Sequence, residues 1–195
     1  MKRAVLLLVA AAACSKPSMV VVSLEDITAT APSTWVTSSP EATERLARSA
    51  RGNDPAADVK VRALGPDGED IPTLTMVIVR QSAELSASVT ARDIIAAEDE
   101  EGQTGAKARG FQVETSSTCH DRYCDWNMYL SARGVAMNQV ARVWKVDHRI
   151  VQVACAAMDK NIFATCQLPM PPDGAELVGE QAAQANGAGD STTTR

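Results

Sequence analysis

Tyr123-Cys124-Asp125-Trp126-Asn127-Met128-Tyr129-Leu130-Ser131-Ala132-Arg133 alternates without a break. In an extended chain Cys124, Trp126, Met128, Leu130 and Ala132 fall on one side. Tyr123, Asp125, Asn127, Tyr129 and Ser131 fall on the other. A period of two is that of a β-strand. An apolar face opposite a polar one is the half-buried antiparallel pattern. The stretch therefore predicts a strand that packs on one side only.

Working outward, residues 110–118 predict a partner strand upstream. Downstream, residues 135–145 and 150–157 predict a hairpin across Val146-Asp147-His148-Arg149. Val151, Val153 and Cys155 share one face of its second strand, which places Cys155 under the sheet. Residues 58–64 and 73–81 read as another pair of strands, joined by the strong turn chemistry of Gly65-Pro66-Asp67-Gly68. In the second of these, Leu74, Met76 and Ile78 oppose Val77 and Val79, so both faces are expected to be covered. Residues 20–31 predict a first strand, broken near Leu24 to Asp26 and ended by Pro32, with Trp35 following as a core or hairpin residue.

Two helices interrupt the strands. Thr90 and Asp93 have capping-box spacing and Val89 can staple against Ile94, so a helix is expected from Thr90 to a stop at Gly102. Ser39 and Pro40 read as an N-cap and first helical residue, with Gly52 ending that helix after Arg51. Its apolar positions are only Ala42, Leu46, Ala47 and Ala50, which suits a shallow surface helix. The sum is an α+β fold. It comprises a curved antiparallel sheet of about six strands, one main helix packed on it and a short additional N-terminal helix. The packed domain is expected over residues 24–169. Residues 170–195 turn to Pro, Gly, Ala, Gln, Ser and Thr and read as a disordered tail.

The chain has 195 residues and a formal charge of −5; losing Lys2 and Arg3 takes it to −7. No basic cluster offers the positive footprint that a phosphate backbone demands, so nucleic acid is not an expected partner. The acidic balance argues equally against peripheral binding to anionic lipid headgroups.

The opening segment, Met1 to Cys14, reads MKRAVLLLVAAAAC. Lys2 and Arg3 form a basic start, residues 4–10 an apolar run, and Ala11, Ala12 and Ala13 a small-residue approach to a cysteine. This is the layout of a secretory signal, and the apolar run falls short of the roughly 20 residues that span a bilayer. With a cysteine directly after the small residues, it resembles the lipobox of bacterial lipoproteins. That resemblance implies cleavage of a signal peptide over residues 1–13, a diacylglyceryl group and further acyl chains such as palmitate on Cys14, and a lipidated tether over 14–23. Ser15 in the following position implies the outer membrane. Ala11 stands where the family most often has Leu. An ordinary secretory signal cut after Ala13 would instead leave Cys14 free.

Four further cysteines remain: Cys119, Cys124, Cys155 and Cys166. In an exported chain they read first as two disulfides. Three pairings are open, of which Cys119–Cys124 with Cys155–Cys166 is the local one and the one expected. The loop-entropy model gives about 2 kcal/mol for the shorter bridge and about 3 kcal/mol for the longer. The alternative for Cys119 and Cys124 is metal ligation with His120 and either Asp121 or Asp125. A structural zinc, however, takes four ligands, usually in two short pairs. No metal and no cofactor are expected.

The chain has two histidines, and residues 119–124 and 146–149 place His120 in a loop and His148 in a turn. Neither sits in a GxSxG, HExxH or P-loop pattern. The acidic run Glu98-Asp99-Glu100-Glu101 would close its helix at the unfavourable carboxyl end. It reads as a solvated surface, with a cation or a basic partner as the alternative.

The order of elements also resembles the PsbP-like and DcrB-like envelope proteins over residues 26–157. The likeness is carried by Ala31-Pro32-Ser33-Thr34-Trp35, the helix start Val89-Thr90-Ala91-Arg92 and the final hairpin. It implies one helix layer on a curved antiparallel sheet and an accessory, chaperone-like or partner-binding role, with no catalytic residue to carry over. The helix over 40–51 and the two disulfides depart from the family pattern.

The functional expectation is a lipid-anchored envelope protein, facing the periplasm or the cell surface, that binds a protein partner without catalysis. An accessory module or an inhibitor of immunity type both fit. A periplasmic hydrolase using His120 or His148 is the enzyme alternative, and a structural or surface-displayed lipoprotein is a third.

Overall fold

The β-strand expected over 124–132 lies one place in from the edge of a seven-stranded antiparallel sheet. It is seen in a computed structural model that describes residues 18–175, apart from 53, 69, 70, 72 and 82–88. The predicted signal, Cys14 and residues 176–195 lie outside the described residues.

The strands are β1 (Met19–Leu24), β2 (Ile27–Pro32), β3 (Val36–Thr37), β4 (Asp58–Gly65), β5 (Leu74–Arg80), β6 (Gln112–Cys119), β7 (Cys124–Ala132), β8 (Val135–Val146) and β9 (Arg149–Ala157). The helices are α1 (Pro40–Arg51), α2 (Ala91–Ala108) and α3 (Lys160–Thr165). The large sheet runs β3-β4-β5-β9-β8-β7-β6, and β1 with β2 forms a separate two-stranded sheet. The α+β class and the antiparallel sheet are as expected, but among the described residues nine strands stand where about six were expected, and there is a third helix. The first "broken strand" is in fact a hairpin. Glu25 at φ 54° turns the chain back, so that Leu24 pairs with Ile27 and Met19 with Pro32.

The sheet has two dissimilar faces. On one, Leu74, Met76, Ile78, Trp144, Val151, Val153 and Cys155 pack against Val22, Ile27, Ala29 and Ala31 of the β1–β2 hairpin, which closes over them. Leu74, Ile78, Val151, Val153 and Cys155 are 0 % exposed. Glu25 at the hairpin tip pairs with Lys60 and Arg80, and Asp26 takes a bidentate contact from Arg149 at 2.6 and 3.0 Å. These contacts fasten the tip to strands β4, β5 and β9.

The segment after β9 completes the same face. Cys155–Cys166 ties it down across a Cα separation of 6.1 Å, and Thr30 bridges to Gln167. Pro171 and Ala175 are buried, so the packed chain runs at least to residue 175, beyond the boundary expected at 169. At the other end, β1 begins at Met19 and Val22 is buried, so the expected tether over 14–23 is shortened from its carboxyl side.

On the opposite face α1 lies over β4 and β5, and α2 over β6, β7 and β8. α1 is capped as predicted, with Ser39 Oγ accepting from Ala42 N at 3.2 Å and Gly52 ending it at φ 55°. α2 starts on the predicted capping box, in which Asp93 N donates to Thr90 Oγ1 and Thr90 N to Asp93 Oδ2.

It does not stop at Gly102. A Cβ placed there would meet Met128 Sδ and Trp126 at 3.5 Å, ordinary contact distance, so this glycine marks where the helix lies closest to β7. The helix continues because it is docked by polar groups. Asp99 Oδ1 accepts from Trp126 Nε1 at 3.0 Å, and Gln103 Nε2 donates to both Asp99 Oδ2 and Thr115 Oγ1 at 3.0 Å.

Candidate functional site

The two helices stand over different strands of this face. Between them, parts of the middle strands β5, β9 and β8 floor a cleft. The sheet register sets its composition: Thr75 faces Ala154, Val77 faces Gln152, and Ala156 faces Gln139. All lie on the helix side, opposite the sealed core. Leu46, Ser49 and Ala50 of α1 form one wall, Glu98 of α2 the other, and Ile71 one end. The volume of this open cleft is about 220 Å³. This is below the roughly 300 Å³ at which drug-sized ligand sites begin.

A smaller space of about 100 Å³ adjoins it and shares Ile71 and Ala156. That one is lined mainly by apolar groups, including Met137, Met158 and Ile162. Its carboxylate, Asp159, already caps α3 by accepting from Asn161 N at 2.7 Å. The larger cleft is therefore the chemically distinctive one.

Glu98 is the titratable side chain of the cleft. Burial raises its pKa above the ordinary 4.5, and the negative charge of Glu101 pushes the same way. No cation and no hydrogen-bond donor satisfies it among the described residues. Its neighbour Asp99 behaves in the opposite sense. Donors from the Thr115 hydroxyl and the Trp126 indole hold that carboxyl below its ordinary value. Adjacent acids on one helix are thus divided by the direction in which each points. Asp99 is satisfied and structural, whereas Glu98 faces open space. Glu100 and Glu101 are exposed, so the solvated surface expected of the acidic run holds for half of it. Because α2 extends to Ala108, the run sits mid-helix and the expected clash with the helix dipole does not arise.

The residues singled out from sequence lie elsewhere. Cys119 and Cys124 form a disulfide across the β6–β7 hairpin, with Cα atoms 4.0 Å apart, and Cys155 pairs with Cys166 as expected. Both thiols of the alternative metal set are thereby consumed. Among the described residues no group of three His, Cys, Asp or Glu side chains is placed to hold a metal ion.

His120 stacks on Tyr123 with ring centroids 4.4 Å apart, and its Nε2 lies 3.9 Å from Asp125 Oδ2. Asp125 is itself taken up by Arg142, through contacts of 2.7 and 2.9 Å. The Arg142 guanidinium sits over the Tyr123 ring at 4.2 Å and donates to the Pro169 carbonyl at 3.2 Å. This cluster clamps the C-terminal segment to the hairpin side of the sheet. His148 is exposed in the β8–β9 turn, beside Asp147 at φ 53°.

No sequence motif pointed to Glu98, Gln139 or Gln152 individually. The available signal was two glutamines at inward-facing positions of β8 and β9, where an apolar residue is expected.

No family model matches the chain, and no curated protein matches it either. Among solved structures, a Pseudomonas aeruginosa protein of unknown function, provisionally called a regulator, matches at 10% identity and a TM-score of 0.33. The match covers 79% of this chain and 99% of that one.

Proposed function

We propose that this chain is a lipid-anchored protein of the cell envelope, held to a membrane through Cys14, that binds a protein partner without catalysis. The observation that carries it is the division of the five cysteines. Four are consumed in two local bridges inside the domain, which leaves Cys14 alone behind its run of alanines. Structural bridges belong to an oxidising compartment, the side of the membrane on which a lipobox cysteine would be displayed. Two or three acyl chains, at about 0.8 kcal/mol per buried methylene, suffice for a stable anchor without a membrane helix. No helix among the described residues is long and apolar enough to cross a membrane. The likeness of the element order to PsbP-like and DcrB-like envelope proteins points the same way.

Support for binding over catalysis comes from the cleft. Among the described residues its lining holds one titratable group, Glu98, whereas acid–base or nucleophilic chemistry needs a second group within hydrogen-bond reach. The histidines stand apart from it, one against Tyr123 and Asp125 and the other in an exposed turn.

The test is fractionation and intact mass of the protein from its own cells, with crosslinking pull-down from the same membranes. The expected result is a membrane-bound species carrying acyl chains on Cys14, released by Cys14→Ser, and a discrete crosslinked partner. A soluble, unacylated wild type would overturn the anchor, and crosslinks to nothing would overturn the partner.

A further inference from the structure

The carboxyl of Glu98 lines the cleft without a cation or hydrogen-bond donor among the described residues. A half-buried carboxylate without a counter-ion is costly, and the other described residues that line the cleft are uncharged. α1 offers Leu46, Ser49 and Ala50; β5 offers Thr75 and Val77; β8 and β9 offer two glutamines and two alanines. An amide N–H or a hydroxyl can donate a hydrogen bond to a carboxylate but cannot neutralise its charge. A cation would neutralise it, and the described lining residues supply none.

The shape narrows the choice. Ala154 and Ala156 keep the floor low, Leu46 and Val77 make the walls apolar, and the exposed Ser49 lies at the rim. A slender aliphatic stem fits such a slot, with a charged tip at Glu98 and flanking acceptors at Gln139 and Gln152. Lysine combines a compact ammonium with a four-carbon stem.

We propose that the cleft between α1 and α2 is a receptor for one alkylammonium group, supplied by a lysine side chain of the protein partner, with Glu98 as its counter-ion. For the source of that lysine the proposal rests on the partner-binding function given above; the ammonium site itself stands on the cleft alone. The mid-helix acidic run then has a divided purpose: Asp99 docks α2 on the sheet and so fixes Glu98 one residue away, facing the gap.

The test is an NMR and calorimetric titration of the full mature chain at pH 7 with Nα-acetyl-lysine N-methylamide. The uncharged norleucine analogue and the free diamine cadaverine run in parallel. The lysine probe is expected to shift Gln139, Gln152, Ala154 and Ala156, and the norleucine probe to leave them unmoved. Removing one partner of a charge-assisted contact is worth roughly tenfold to a hundredfold in affinity, which is the loss expected for Glu98→Gln.

Equal binding of the norleucine analogue, unaltered affinity in Glu98→Gln, or shifts confined to another face would each overturn the site. Tighter binding of cadaverine than of capped lysine would overturn the lysine source and assign the site to a free diamine. A lysine response without any crosslinked protein in cells would defeat the partner function and leave the site standing. A crosslinked partner without a lysine response would do the reverse.

Discussion

The two faces of the seven-stranded sheet share strands but not purpose. The hairpin face is closed: Trp144, Met76 and Val153 are buried under β1 and β2, a disulfide ties down the chain that follows, and ion pairs fix the hairpin tip. The helix face is closed under each helix and open between them, and that opening holds glutamines, a threonine and an unneutralised carboxyl. A sheet stabilised from one side can leave the other incomplete. The difference puts the main stabilising contacts on the first face and the proposed recognition site on the second.

The comparison breaks most easily at Trp144. Trp144→Ala removes a large, 1 %-exposed side chain from the closed face and is expected to cost about 3–5 kcal/mol. Gln152→Ala on the cleft floor should stay within about 0.5 kcal/mol. Urea unfolding of both variants checks the contrast, and equal losses would erase the distinction between the faces.

Next in size is the bridge below the closed face. Replacing Cys155 and Cys166 together by Ala is expected to cost about 3 kcal/mol from loop entropy. It should also loosen the segment through Ala175, read as faster amide exchange there than in α2.

Asp99→Ala comes third. It leaves the buried Trp126 indole N–H without its acceptor, a loss of about 1–3 kcal/mol, and it should lower ammonium binding as well by loosening α2.

The next stability change has the opposite sign. Gly102→Ala replaces a mid-helix glycine whose added Cβ would make only ordinary contacts at 3.5 Å. It is expected to stabilise by about 0.5–1 kcal/mol, measured as a rise in Tm. A fall would mean that the helix needs closer approach to β7 than the geometry implies.

Glu98 adds a prediction of slope. Its folded-state pKa lies above the ordinary 4.5, so between those values the native state holds more protons than the unfolded one. Stability therefore falls as pH rises through that window, and the deficit persists at neutral pH. In Glu98→Gln that slope is expected to vanish, making the variant the more stable form above the window. Unfolding free energies measured across that pH range decide it.

Much of this was legible in the sequence, and the reasons differ by element. The alternation of 124–132, the capping box at Thr90 and the Ser39-Pro40 start are local signals, and each forms as read. The end of α2 was illegible because the helix is held by Asp99 and Gln103 and not by an apolar stripe, so the 3.6-residue period fades just where Gly102 mimics a stop. The β1–β2 hairpin reads in sequence as one strand broken near Leu24 to Asp26, because its turn is made by Glu25, a residue without a strong turn preference. The packing of Pro171 and Ala175 depends on the distant Cys155 and Arg142, which no local composition reveals. The cleft is less legible still, because its floor is an accident of register among three strands.

Site-specific photocrosslinking in the protein's own cells tests the division between the faces most directly. A photoreactive phenylalanine placed at Ser49, on the rim of the cleft, is compared with one at Tyr129, exposed on the hairpin side of β7. The account predicts a discrete crosslinked partner from position 49 and none from position 129. A partner captured from 129 and not from 49 would contradict it.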